Sequence, residues 1–91
     1  MKIYIAGKIT GNENYKNQFW EAEKILEAAG HAVMNPANMN GGFEHHEYMK
    51  VCTTMIDVCE GVCFIKGWED SKGAQFEHQY AKITGKTCIF V

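Results

Sequence analysis

The chain is predicted to fold as a small three-layer α/β sandwich around a parallel four-stranded, flavodoxin-like sheet of order 2-1-3-4. Three observations predict it. Short β-branched and aromatic runs alternate with segments whose apolar residues recur at helical spacing. Glycine or asparagine punctuates the junctions between them. The run Gly61-Val62-Cys63-Phe64-Ile65 is apolar throughout, as a strand covered on both faces requires.

Lys2 to Ala6 is the first strand, ending at Gly7, and Gly7 to Asn14 is a loop rich in glycine and asparagine. From Tyr15 to Ala29 the positions Phe19, Ala22, Leu26 and Ala29 mark a helix, with Gly30 as its stop. His31 to Met34 is a second strand, closed by Asn35-Pro36, and Asn35 to Gly42 is a polar loop. Tyr48, Cys52, Met55, Ile56 and Cys59 place a second helix between Glu44 and Cys59. The third strand follows at Gly61, a third helix runs from Ala74 to Thr84, and Lys86 to Val91 is the fourth strand. Strands alternating with helices imply parallel pairing through right-handed crossovers. In such a sheet a crevice opens between the ends of strands one and three, here lined by Gly7 to Gly11 and by Gly67 to Lys72.

A length of 91 residues allows one domain, residues 1–91, with a modest core that gains from self-association. A net charge of −2 with unclustered lysines argues against a nucleic-acid polymer as partner and leaves a nucleotide open. Cysteines at 52, 59, 63 and 88 have no C-x-x-C spacing, so neither a zinc knuckle nor a redox motif is expected. No signal-peptide pattern or membrane-length apolar run is evident, and the chain is expected to be cytoplasmic with reduced thiols.

The segment Gly67-Trp68-Glu69-Asp70-Ser71-Lys72-Gly73-Ala74-Gln75-Phe76-Glu77 carries the most chemistry. Ser71 and Gly73 sit at a helix start, where free amides and the dipole favour an anion; capping alone accounts for Ser71 equally well. Gly73 and Glu77 share a helix face, so a small residue leaves room over a carboxylate that can act on a sugar-phosphate or a glycosidic bond. From spacing alone, a solvated helix glutamate is the simpler reading of Glu77. Tyr4 is either a core tyrosine seeking a partner or a rim residue. Trp68 is either a lid or base-stacking surface or a patch on a small core. Gly7 and Gly11 permit close backbone approach to a sugar or phosphate, or form an ordinary tight turn. His45-His46 are adjacent and diverge on a helix, so they are not expected to share a metal. His31 and His78 are lone residues, and Met34, Met39, Met49 and Met55 are expected to fill core gaps.

Taken together, Ile3-Tyr4-Ile5-Ala6-Gly7-Lys8-Ile9-Thr10-Gly11, the Asn35-Pro36 pair and Gly67-Trp68-Glu69-x-Ser71-x-Gly73-Ala74-x-x-Glu77 resemble the nucleoside 2-deoxyribosyltransferase superfamily. The nearest branch is the short phage and prophage type, domain of unknown function 4406. The resemblance spans nearly the whole chain. It implies cleavage of the N-glycosidic bond of a 2′-deoxynucleoside or its 5′-monophosphate, with water or a second base taking the sugar. It implies Glu77 as nucleophile, forming a glycosyl-enzyme ester, with Tyr4 orienting it. Ser71 would contact a phosphate; Gly7, Lys8, Gly11, Gly73 and Trp68 would help hold the substrate.

Three departures stand out. Cys52 occupies the place of an acidic residue that helps handle the leaving base or the sugar hydroxyl; a thiol is a poorer acid-base group. Lys8 replaces a Pro or Ser and favours a phosphorylated substrate as a point charge. Glu60 replaces an Asp. In larger members a neighbouring subunit's C-terminal residues complete the site; that part is not expected in this chain, and self-association into a homo-oligomer is expected. The chemistry requires no metal and no cofactor, and the dipole at the helix start is expected to keep the glutamate ionised. The rival readings are a non-catalytic nucleotide-binding module of the same fold, favoured by Cys52, and a structural interaction protein without a ligand.

Overall fold

The computed structural model describes residues 1–91. Its strands are β1 (Lys2–Ala6), β2 (Ala32–Met34), β3 (Gly61–Phe64) and β4 (Thr87–Phe90). Its α-helices are α1 (Tyr15–Ala28), α2 (His45–Asp57) and α3 (Lys72–Ile83). Every pairing is parallel and the order is β2-β1-β3-β4, as the alternation of elements predicts.

The two faces of β1 feed two cores, because successive strand residues point to opposite sides. Ile3 and Ile5 pack with Phe19 and Leu26 of α1 on one face. Tyr4 and Ala6 pack with Cys52 and Ile56 of α2 and Ala81 of α3 on the other. β3 repeats the division, with Cys63 on the α1 side and Val62 and Phe64 on the α2/α3 side. The chain crosses β1 between β2 and β3, so right-handed connections place α1 opposite α2 and α3. That reversal of direction opens a crevice at the ends of β1 and β3.

Local chemistry fixes how the chain enters and leaves the crevice. Gly7 ends β1 where a Cβ would lie 2.5 Å from Ile65 Cγ1 and 3.1 Å from Phe19 Cζ, so only glycine lets the strand pass between them. After β2, the Asn35 side chain accepts from the Ala37 amide at 2.9 Å and donates to Glu23 at 2.8 Å. This pins the 3-10 turn Pro36–Asn38 against α1. α3 starts at Lys72, two residues before the expected Ala74, because Ser71 Oγ accepts the Ala74 amide at 3.1 Å and makes Ser71 the cap. One core expectation fails: Met34 is 40% exposed, because β2 is a three-residue strand at the sheet edge.

Candidate active site

The Tyr4 hydroxyl donates to Glu77 Oε2 at 2.6 Å inside the protein. Tyr4 reaches Glu77 because its position on β1 faces the α2/α3 layer, and Glu77 faces inward from the second turn of α3. Glu77 is 5% exposed and Tyr4 1%, so neither the solvated-glutamate nor the rim-tyrosine reading holds. Cys52 of α2, 6% exposed, lies beside the pair.

Burial pushes the Glu77 carboxyl up to about 7, although the Tyr4 hydroxyl and the Cys52 thiol both favour its charged form. The helix-dipole expectation is therefore corrected. Glu77 lies beyond the first turn of α3, where the dipole is weak, and desolvation prevails. Burial, and next the Glu77 charge, hold the Tyr4 hydroxyl well above its ordinary range, so it remains a proton donor. Burial pushes the Cys52 thiol up to about 11, opposed by the Tyr4 hydroxyl and reinforced by the Glu77 charge.

The three side chains line a cavity of about 590 Å³, within the size range of small-molecule sites. Gly7, Ser71 and Gly73 also line it. Gly73 leaves space: a Cβ there would meet Met49 Sδ at 3.5 Å and His45 Cε1 at 3.9 Å. Lys8 and Gly11 fall outside the lining. The Lys8 side chain folds over Gly11, with its Cε 3.6 Å from where a Gly11 Cβ would lie, and the intervening Ile9 and Thr10 face the cavity instead. Trp68 is also outside. Its ring packs 5.0 Å from Phe64, 4.9 Å from His78 and 5.8 Å from Phe90 between centroids, sealing the β4 end of the core. Glu60 lies at the opposite end of β1, where its side chain accepts from the Lys2 amide at 2.9 Å.

Sequence reasoning missed an entire wall. Pro36, Ala37 and Met39 from the loop after β2, with His45, Tyr48 and Met49 of α2, also line the cavity, and His45 and Met49 reach Gly73 of α3. Tyr15 and Phe19 of α1 add aromatic surface. The usable signals were Asn35-Pro36, which turns the chain toward the crevice, and the spacing of His45, Met49 and Cys52, which shares one helix face. His45 lines the cavity and His46 does not, so the pair diverges as its adjacency predicts.

The fold that brings a buried carboxylate and a phenol to this cavity is shared by several solved structures. The structure superposes on a 2-deoxyribosyltransferase from Bacillus psychrosaccharolyticus with a TM-score of 0.78 and 24% identity, over 99% of this chain and 71% of that one. A 2-deoxyribosyltransferase from Leishmania mexicana gives 0.77 and 20% identity, over 98% of this chain and 62% of that one. The CMP N-glycosidase of Clostridium botulinum gives 0.72 and 21% identity, over 99% and 70%. The chain thus spans less than two thirds of the Leishmania enzyme and about 70% of the other two. No curated protein matches. Residues 1–90 match the family described as domain of unknown function DUF4406, and the chain belongs to that family.

Proposed function

We propose that the protein breaks, or transfers across, the N-glycosidic bond of a 2′-deoxynucleoside or its 5′-monophosphate, with Glu77 as the nucleophile. The observation that carries this reading is the 2.6 Å hydrogen bond from Tyr4 to a Glu77 carboxyl buried in the cavity. A Glu77 carboxylate oxygen attacks the anomeric carbon, an ester to the sugar forms, and the base departs; water or a second base then releases the sugar. Tyr4 is a positioning residue that aims the carboxylate through its Oε2 oxygen. Ser71 and Gly73 border the sugar and any 5′-phosphate from the start of α3. The substrate is a small molecule, and the named activities of the similar structures, deoxyribosyl transfer and CMP N-glycosidase, support that class.

Base release tests it. Wild type and Glu77→Ala are incubated with each 2′-deoxynucleoside and 5′-monophosphate, with and without acceptor base, and free base is quantified. Release by wild type alone is expected; equal release by the variant overturns the mechanism. A second reading, a nucleotide-binding module of the same fold, is favoured by Cys52, whose elevated thiol is a weak acid for a departing base. Ligand-induced thermal stabilisation without base release selects it. Self-association is also proposed, because α3 exposes Phe76 at 49% and Ile83 at 82%.

A further inference from the structure

On the proposed role of Glu77 the cavity contains a nucleophile, and the groups packed beside it are poor acids for a departing neutral base. Beside Glu77 stand Tyr4, whose hydroxyl is spent on the carboxylate, and the Cys52 thiol. Apart from phenols, the remaining ionisable side chains of the lining are His45, Asp70 and Lys72. All three are exposed at or just before the starts of α2 and α3. The His45 ring lies over Gly73, one helical turn and about 6 Å along α3 from Glu77. The lining also holds phenol rings and thioethers: Tyr15, Tyr48, Met39 and Met49. The Tyr48 hydroxyl is itself engaged, donating to the Asn40 carbonyl at 2.7 Å.

These surfaces suit a cation. Aromatic faces attract positive charge, and thioethers pack against heteroaromatic rings. A neutral nucleobase leaving as an anion needs an acid of matched pKa. A ring already quaternised at nitrogen departs as a neutral molecule and needs none.

We infer that the cavity is built for N-glycosides whose leaving group is already cationic, a pyridinium or an N-alkylated purinium nucleoside or nucleotide. The inference rests on the proposed role of Glu77. In the first step a Glu77 carboxylate oxygen bonds to C1′ and the C1′–N bond breaks. Its electron pair passes to the ring nitrogen and cancels the positive charge, so no proton is transferred. In the second step water bonds to C1′, the ester C1′–O bond breaks, the carboxylate returns to Glu77 and a proton passes to solvent.

The test compares matched pairs: 7-methyl-2′-deoxyguanosine against 2′-deoxyguanosine, 7-methylguanosine against guanosine, and their 5′-monophosphates. Nicotinamide riboside and its monophosphate supply the pyridinium class. Each rate is divided by the rate without protein, because cationic glycosides break faster unaided. The expected result is an enhancement at least about 100-fold larger for the cationic member, abolished in Glu77→Gln. Cys52→Asp, which restores a carboxyl acid, is expected to raise the neutral member at least about tenfold. Equal enhancement of both members by wild type overturns the inference and leaves the Glu77 mechanism standing. Enhancement of neither member overturns both.

Discussion

Tyr4 and Glu77 lie 73 positions apart in the chain and share a 2.6 Å hydrogen bond between the first strand and the last helix. The bond joins the two halves of the fold at the crevice. It also sets the chemistry, because it opposes the desolvation that pushes Glu77 up to about 7.

Removing the charge is expected to stabilise the fold. The native carboxyl titrates near 7 and an unfolded glutamate near 4.5, so between those values the native state holds more protons. Stability is full below about 4.5, falls as pH rises through this window, and the loss is complete above about 7. At about 1.4 kcal/mol per pKa unit the cost at pH 8 is of order 3 kcal/mol. Glu77→Gln, which keeps an acceptor for Tyr4, is expected to unfold at higher urea than wild type at pH 8 and to match it near pH 4.5. Equal midpoints at pH 8 would show that burial does not penalise the charge.

Turnover is expected to rise with pH through an inflection near 7, because only the carboxylate is nucleophilic. The check is kcat/KM for base release between pH 5 and 9. A plateau already reached at pH 5 contradicts the assignment.

Tyr4→Phe removes a donor to the charged form, so Glu77 is expected to titrate higher still and the acid limb to move to higher pH. At pH 8, leaving a buried carboxylate without this partner costs about 1–3 kcal/mol of stability. A loss of stability with an unmoved pH profile would make Tyr4 structural only.

Gly7 and Gly73, two of the three glycines that line the cavity, are expected to respond differently. Gly7→Ala forces a methyl to 2.5 Å from the buried Ile65 side chain and should cost about 1–3 kcal/mol by overpacking, read in thermal or urea unfolding. Gly73→Ala meets nothing closer than 3.5 Å, so it should fold normally and act on KM by narrowing the cavity. A stable Gly7→Ala protein would show that β1 can shift at its end.

Ser71→Ala deletes the hydroxyl that accepts the Ala74 amide, and about 1 kcal/mol of stability is expected to go with it. A further loss of discrimination between 5′-monophosphate and nucleoside would give Ser71 a ligand role as well. Unchanged discrimination confines it to the cap.

Local patterns were enough for the element order and the β2-β1-β3-β4 sheet; the pairing of Tyr4 with Glu77 was implied by the family resemblance alone, since spacing favoured a solvated glutamate. Period-two and helical spacing report which face each residue turns inward, and right-handed crossovers leave few topologies for four alternating strands. Ser71 as a cap was equally legible, since the serine precedes its own helix. What the chain alone left open depends on contacts distant in sequence. Trp68 was divided between lid and core until Phe64, His78 and Phe90 closed around it, and Phe90 comes from the neighbouring strand. Lys8 could point along several directions from its loop, and only packing laid it over Gly11. The wall from Pro36 to Met49 became part of the site because Asn35 ties its loop to Glu23 of α1. The ionisation of Glu77 needed the tertiary structure most: desolvation depends on everything packed around a carboxyl, and no spacing of residues along a chain encodes it.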